Sequence, residues 1–302
     1  MTGRERAIET INHRKTDRAP SDYGAHATVS DALIQKLGLA SYEELLQHLE
    51  IDMRRISAPY GLPTTGPDSD GYYTTMWGLR YQGEGATFKA ESVIYPFTED
   101  STIDDVHAHD WPDVSKLDFS YVKAECEQYD GEYALYGAPW SPFFHEIGWL
   151  VGQTNFYMWM TSRPDLVDAI IGYIVDFEIE ATRMFLDAAE GLVDITYFGN
   201  DFGTQRGLFV GPGMWERFLR APLKRYFDVS KDHGCHVMKH SCGSVREIVP
   251  WMIEDGLDIL DPVQTVATGM SYPGLVRDFG DKIVFHGAVD TQTTLPFGSQ
   301  DD

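Results

Sequence analysis

From about residue 133 onward, short apolar segments alternate with amphipathic segments and glycine-containing loops. The apolar segments predict strands at 133–136, 193–198, 236–240, 258–263 and 283–289. The last three begin roughly 22–25 residues apart, which is the spacing of strand–helix units in a parallel sheet. Between the first two predicted strands, residues 164–190 predict the clearest helix, because Pro164 lies in its first turn, apolar residues recur at helical spacing and Gly191 follows its end.

This alternation predicts an α/β fold, a (β/α)8 barrel, with residues 1–302 as one barrel domain. The competing architecture is a doubly wound sheet, but no glycine-rich dinucleotide-binding motif follows an early strand. A region near residues 70–97 differs, since 72–77 and 86–95 predict strands separated by glycine-rich turns. We expect this region to form an antiparallel hairpin inserted over the barrel mouth.

Two helix starts carry the signature of a capping box, in which a hydroxyl side chain and a glutamate three residues later bond each other's backbone N–H groups. Thr2 and Glu5 predict one such start at the N-terminus. Ser244 and Glu247 predict another, opening a helix that ends near Gly256.

Charge and cysteine content narrow the class of protein. The chain has 47 acidic and 24 basic residues, a net charge of −23, which argues against nucleic-acid binding because phosphates require clustered Lys and Arg. No run of about 18 apolar residues predicts a membrane span, and the opening residues lack the apolar core of a secretory signal. The chain has three cysteines, Cys126, Cys235 and Cys242, and so small and uneven a number does not indicate a disulfide framework. We therefore expect a cytoplasmic protein.

Polar residues follow the predicted strands, where active residues gather in (β/α)8 enzymes. His240 and Cys242 are the sharpest pair, because an imidazole and a thiolate two residues apart can bind one ion, and N/S ligation suits Zn²⁺. The alternative is a buried thiol beside a hydrogen-bonded histidine. Two ligands do not complete a catalytic zinc site, which has three protein ligands and one open position.

Other candidates have roles in orientation or proton transfer. Asp201 and Gln205 would orient a substrate or act as acid and base, unless they form a polar turn that caps the next helix. Glu146 and His145 would supply a further ligand or proton carrier, although they lie in an aromatic-rich helical start. Cys126 and Cys235 are interpreted as structural. The remaining candidates at strand ends, mainly for substrate binding, are Tyr23, His26, Trp140, Phe144, Asn200, Gln264 and, as a catalytic group, Asp290.

Several motifs together resemble the uroporphyrinogen decarboxylase superfamily, and within it the branch of zinc-dependent, corrinoid-linked methyltransferases. The opening also matches, at Arg4–Arg14 and Asp17–Pro20, so the resemblance covers nearly the whole chain. The motifs are Gly199-Asn-Asp-Phe-Gly-Thr-Gln-Arg-Gly207, His236-Val-Met-Lys-His-Ser-Cys-Gly-Ser244, Asp258-Ile-Leu-Asp-Pro-Val-Gln264, Gly287-Ala-Val-Asp-Thr-Gln292 and Thr294-Leu-Pro-Phe-Gly298.

The resemblance implies a (β/α)8 barrel in which His240 and Cys242 form part of a zinc site. Two departures qualify it. The true decarboxylases grip substrate carboxylates with arginines on the first strand, whereas residues 20–26 contain none. Members of the coenzyme M branch also supply a further cysteine in a unit beyond the position of Asp302. We expect either that the C-terminal barrel unit is missing from this sequence or that the barrel closes in another way, so the third ligand lies outside this sequence or is an unidentified residue within it.

The function implied is methyl transfer between a small methylated substrate and a corrinoid (cobalamin) protein or a thiol acceptor, with zinc as Lewis acid and a homodimer as the expected assembly. Tyr23, Trp140 and Phe144 would exclude water. A second reading is metal-free decarboxylation of a carboxylated substrate, with Asp201 or Asp290 stabilising a protonated intermediate. A third is a non-catalytic module that binds a corrinoid or tetrapyrrole.

Overall fold

The computed structural model describes residues 1–59, 61–83, 90–129, 131–287, 289–299 and 301. Its strands are β1 (Met53–Arg55), β2 (Tyr73–Thr74), β3 (Arg80–Gly83), β4 (Ala90–Ile94), β5 (Ala134–Tyr136), β6 (Ile195–Phe198), β7 (His236–His240), β8 (Ile259–Asp261) and β9 (Val284–Phe285). Its α-helices are α1 (Gly3–Ile11), α2 (Ala27–Leu37), α3 (Tyr42–His48), α4 (Ile103–Ala108), α5 (Val122–Glu127), α6 (Phe143–Val151), α7 (Gln153–Ser162), α8 (Pro164–Ala189), α9 (Pro212–Trp215), α10 (Ala221–Asp232), α11 (Val249–Asp255), α12 (Tyr272–Phe279) and α13 (Thr294–Phe297). A 3₁₀ helix lies at Val114–Lys116 and a π-helix at Glu216–Arg220.

Six strands form one curled parallel sheet in the order β1-β5-β6-β7-β8-β9. This order follows the chain, as in a (β/α)8 barrel, and confirms the predicted α/β class. Within the described residues no strand joins β9 to β1, so the sheet is an open, partial barrel. The extended segment at residues 19–23 lies beside the start of β1, where Asp52 N donates to Ser21 O at 3.0 Å, but it is not a strand of the sheet.

The predicted hairpin is present as a separate antiparallel sheet, in the order β2-β3-β4. Its first strand is shorter than the predicted 72–77, because Gly78 at φ +85° turns the chain into an additional strand, β3. The second predicted strand corresponds to β4, and its residues 86–89 lie outside the described part of the chain. The insertion is therefore confirmed with one strand more than predicted.

The two predicted capping boxes have different outcomes. Thr2 and Glu5 form the expected reciprocal bonds at the start of α1. The box at Ser244 is wrong, because α11 begins later, at Val249, without a side-chain cap. The hydroxyl of Ser244 instead donates to Thr268 O at 2.6 Å, which ties the loop after β7 to the loop after β8. The predicted long helix is confirmed as α8.

Apolar packing places the sheet between two clusters of buried side chains. The larger cluster lies between the sheet and the surrounding helices and contains most buried residues of α6, α7, α8 and α10. The smaller one lines a cavity on the other face of the sheet and includes Ala7, Met53, Ile195, Met238 and Ile259. Because alternate residues of a strand face opposite sides, β6, β7 and β8 supply side chains to both clusters. No helix within the described residues is long and apolar enough to cross a membrane.

Candidate metal centre

The candidate site lies where β6 and β7 end side by side. The two strands pair in parallel with Phe198 opposite Lys239, so the loops that follow them emerge at the same edge of the sheet. Gly203 and Gly243 let these loops approach closely. A Cβ at Gly243, which has φ +81°, would lie 2.5 Å from the carbonyl oxygen of Gly203. Glycine at both positions therefore brings residues 201 and 242 together.

Asp201, His240 and Cys242 form a cluster whose ligand atoms all lie within 4.8 Å of one another. His240 Nε2 is 3.6 Å from Cys242 Sγ and 3.3 Å from Asp201 Oδ1. Ligands of a tetrahedral zinc ion with ordinary bond lengths are separated by about 3.3–3.6 Å. The two separations from His240 match this spacing, and the set offers one nitrogen, one oxygen and one sulfur.

The orientation of His240 also suits a metal ligand. Its Nδ1 donates to Asp261 Oδ2 at 2.8 Å, because β7 and β8 pair with His240 opposite Asp261. Tyr197 OH donates to the same oxygen at 2.7 Å. With Nδ1 engaged, Nε2 faces Asp201 and Cys242, which is the arrangement usual for metal-binding histidines.

Electrostatics in the cluster reflect this hydrogen bonding. Burial by itself would lower the pKa of His240, but its bonds to Asp201, Asp261 and Cys242 together raise that pKa to about 10. Burial would likewise raise the pKa of Asp201, yet the bonds from His240 and from Cys242 N–H, at 2.8 Å, lower it to about 2. Asp201 is thus ionised at neutral pH. A divalent cation would replace the proton that His240 carries.

Lys239 is a fully buried residue beneath the cluster that sequence reasoning missed. Its Nζ donates to the carbonyl oxygens of Gly199 at 2.5 Å and Asn200 at 2.9 Å, and also to that of His240. Burial lowers the pKa of Lys239 to about 7. The ammonium group therefore fastens the segment before Asp201 to the end of β7, which carries His240.

Several residues predicted for substrate contact lie beside the cluster. The ring of Trp140 is 5.3 Å from that of His240 and is half-buried. Gln264 Oε1 accepts from Gly243 N at 2.8 Å and from Gln205 Nε2 at 3.0 Å, so this amide pair braces the loop that holds Cys242. His145, whose pKa is lowered by burial, interacts with the charges of Asp201 and His240.

Asn200 and Phe144 are buried parts of the support. Asn200 adopts φ +111°, and its side chain accepts from Phe144 N at 3.1 Å and donates to Ser141 O at 3.3 Å. The Phe144 ring packs on Phe156 and Phe202. Both residues therefore hold the β6 loop against α6.

Other predicted residues have their contacts elsewhere. Asp290 accepts from Gln292 N at 2.8 Å and from the backbone and hydroxyl of Thr293, so it supports the turn before α13. His26 is exposed and caps α2. Tyr23 is half-buried, with its hydroxyl 3.2 Å from Ser30 Oγ. The structure does not place their side chains in the metal cluster.

Glu146 is fully buried among helices, where its charge acts on Glu178 of α8. Burial, and then the charge of Glu146, raises the pKa of Glu178 well above its ordinary value, while Tyr226 donates to its carboxyl group. The predicted role of Glu146 as a metal ligand has no support in this geometry, because the ligand cluster comprises residues 201, 240 and 242. Cys126 and Cys235 are buried in the core, as predicted.

The raised pKa of Glu178 predicts a pH dependence of stability. Between its unfolded pKa, near 4.5, and its higher folded pKa, the folded state retains a proton that the unfolded state releases. The free energy of unfolding therefore falls as pH rises through this window, by up to about 1.4 kcal/mol per pH unit. We expect Glu178→Gln to remove this component, so that denaturant unfolding from pH 5 to 8 shows a stability advantage that grows with pH.

The matched control for that experiment is Glu180→Gln on the same helix, whose side chain is 45 % exposed. It should leave the pH dependence unchanged. An equal pH slope in Glu178→Gln and wild type would contradict the assignment.

Comparison with known proteins places this cluster in a family context. The family model described as uroporphyrinogen decarboxylase (URO-D) matches residues 83–302, which include all three ligand candidates. The chain belongs to the uroporphyrinogen decarboxylase family. This confirms the resemblance seen in the sequence at the level of the family.

The fold of this family member is shared with a solved methyltransferase from Methanosarcina mazei. The two are 16 % identical, with a TM-score of 0.64 over 100 % of this chain and 87 % of the other. No curated protein sequence matches the chain. At this identity the structural match shows a common fold, and a common fold does not imply a common chemistry.

Proposed function

We propose that the chain is a zinc-dependent methyltransferase that moves a methyl group between a small methylated compound and a corrinoid or thiol acceptor. The observation that carries the proposal is the Asp201–His240–Cys242 cluster at the carboxyl edge of the parallel sheet, where barrel enzymes hold their active groups. Family membership and the fold shared with a methyltransferase support the same reading. A separate corrinoid protein, a homodimer and a cytoplasmic location belong to this proposal.

Each residue of the cluster has a defined part in the proposal. His240, Cys242 and Asp201 hold the zinc ion, and Asp261 keeps the imidazole of His240 directed toward it. When bound, zinc supplies a Lewis acid that favours the thiolate form of an acceptor or polarises a methyl-bearing heteroatom. The ring of Trp140 covers one side of His240 and limits the access of water.

The metal predicts a direct biochemical test. We expect purified protein to contain close to one zinc per chain and to transfer methyl groups from methylcobalamin to a small thiol, giving a thioether and cob(I)alamin. Removing zinc with a chelator should abolish the transfer, since the Lewis acid is lost, and adding Zn²⁺ should restore it. Metal analysis and the visible spectrum of the corrinoid give the two readouts. Protein that contains no zinc and is indifferent to chelators contradicts the proposal.

The family name supports a second candidate, metal-free decarboxylation of a small carboxylated substrate. Asp201, ionised and 35 % exposed, would stabilise a protonated intermediate. This candidate predicts that chelators have no effect and that Cys242→Ser retains full activity. Release of CO₂ from carboxylated substrates by chelator-treated protein would favour it over methyl transfer.

A further inference from the structure

Behind His240, carboxylates and imidazoles alternate in an unbroken series of contacts. Asp261 uses both oxygens: Oδ2 accepts from His240 Nδ1 at 2.8 Å, and Oδ1 accepts from His286 Nδ1 at 2.5 Å. The other ring nitrogen of His286, Nε2, lies 3.2 Å from Asp22 Oδ2. The series therefore runs from the metal cluster through β8 to the residue after β9, and on to the N-terminal segment.

Asp261 receives more side-chain hydrogen bonds than are needed to compensate for burial of its carboxylate. The side chain of Asp261 is only 7 % exposed, and a buried carboxylate is costly unless its oxygens accept hydrogen bonds. Tyr197 OH and His240 already supply donors to Oδ2. His286 adds a donor to Oδ1, and its hydrogen bonds to Asp22 and Asp261 raise its pKa to about 10 against the opposing effect of burial. The ring of His286 therefore carries an N–H toward each carboxylate.

Two donors on opposite oxygens fix the plane of the Asp261 carboxylate. The orientation of this plane in turn fixes the ring of His240, because the hydrogen bond from its Nδ1–H is strongest along the lone-pair direction of Oδ2. The Asp22–His286 contact also bridges the two open ends of the sheet, beside a cavity of about 580 Å³ that both residues line. A displacement of either end of the sheet would thus be transmitted to His240.

We propose that Asp261, His286 and Asp22 act as positioning residues that orient His240 Nε2 for a divalent metal ion. This inference rests on the metal function proposed above. Asp22 and His286 lie at the open edge of the sheet, far from the ligands in the sequence, and in this proposal they influence metal affinity through Asp261. Residues behind a ligating histidine typically contribute 10–100-fold to metal affinity.

The test measures the affinity for zinc, by competition with a chromogenic chelator, in Asp261→Asn and His286→Gln. Each oxygen of Asp261 accepts a hydrogen bond from an imidazole N–H group. An asparagine has only one acceptor oxygen, so its NH₂ group would face the N–H group of one of the two imidazoles and that hydrogen bond would be lost. We expect the dissociation constant of Asp261→Asn to rise by about 10–100-fold and that of His286→Gln by a smaller factor. In the double variant the effects should be less than multiplicative, because His286 acts through Asp261.

The visible spectrum of the cobalt-substituted protein provides a second readout that does not depend on activity. Loss of the His240 orientation should change the ligand-field bands while the cysteine-to-cobalt charge-transfer band remains. Asp258→Asn is the matched control, because Asp258 lies just before β8 at the opposite end, bonded to Lys231 and Val237 N. It should bind zinc as wild type does.

The outcomes separate the two proposals. If wild type binds neither zinc nor cobalt, the metal function is wrong and the positioning role falls with it. If wild type binds zinc but Asp261→Asn and His286→Gln, shown to be folded by thermal denaturation, bind it equally well, only the positioning role is wrong. Should Asp261→Asn fail to fold, the less buried His286→Gln decides the question, since its side chain is 28 % exposed.

Discussion

His240→Ala is expected to abolish zinc binding and to lower methyl-transfer turnover on the order of 10³-fold or more. The imidazole is the central member of the cluster, within 3.6 Å of the other two ligand atoms. Two remaining ligands cannot hold a catalytic zinc ion, which needs three protein ligands. The fold should survive, because Asp261 retains the hydrogen bonds from Tyr197 and His286. Zinc content and turnover are the measurements.

Cys242→Ala should behave in the same way, and Cys235→Ala supplies its control. Cys235 precedes the opposite end of β7, is buried, and donates to Val193 O at 3.3 Å. Its replacement removes a thiol from the same segment without touching the cluster, so zinc content and turnover should persist. Full zinc content and undiminished activity in His240→Ala would exclude zinc catalysis at this site.

Lys239→Met is expected to produce the largest loss of stability, roughly 2–4 kcal/mol in the free energy of unfolding. Methionine fills a similar volume but donates no hydrogen bond, so the carbonyl groups of Gly199, Asn200 and His240 lose a buried partner. Denaturant unfolding at pH 6 and pH 9 measures the effect, and the loss should be larger at pH 9, because the lowered pKa of Lys239 makes its protonation less favourable in the folded than in the unfolded chain. Zinc affinity should fall as well, because the loops that carry Asp201 and His240 are no longer fastened together.

Lys231→Met provides the comparison, since Lys231 is 39 % exposed and forms an ion pair with Asp258. Exposed ion pairs contribute at most about 1 kcal/mol, so the variant should remain close to wild type. Equal stability of Lys239→Met and Lys231→Met would show that the hydrogen bonds of the buried Lys239 side chain do not support the site.

Much of the fold was predictable because local patterns and tertiary packing agree. The predicted strand at 236–240 corresponds residue for residue to β7, and the predicted helix at 164–190 corresponds to α8, which ends one residue earlier, at Ala189. The helix is long enough for its periodicity to be distinctive, and the strand is marked by the regular spacing of the strand–helix units. Ser244 shows the limit of local signals: its capping box does not form, because a carbonyl from another loop, Thr268 O, binds its hydroxyl.

Part of the candidate site was equally visible in the sequence. His240 and Cys242 are two residues apart on one strand end, so their proximity is a local property of the chain. The third ligand candidate was not recognised as one, because Asp201 lies on another strand end and an aspartate by itself has many roles. Its approach to Cys242 depends on the contact between Gly203 and Gly243.

The sequence by itself determined the barrel class, the insertion and the proximity of His240 and Cys242, since each follows from periodicity or short spacing within one segment. Only the tertiary structure decided which carboxylates lie next to His240. Packing directs Glu146 into the helical layer beside Glu178 and brings Asp201 to the cluster. The pairing of β7 with β8 sets Asp261 behind His240. The physical reason is that a carboxylate acquires its role from the partners and the burial that distant segments provide, and these are not encoded in its immediate neighbours.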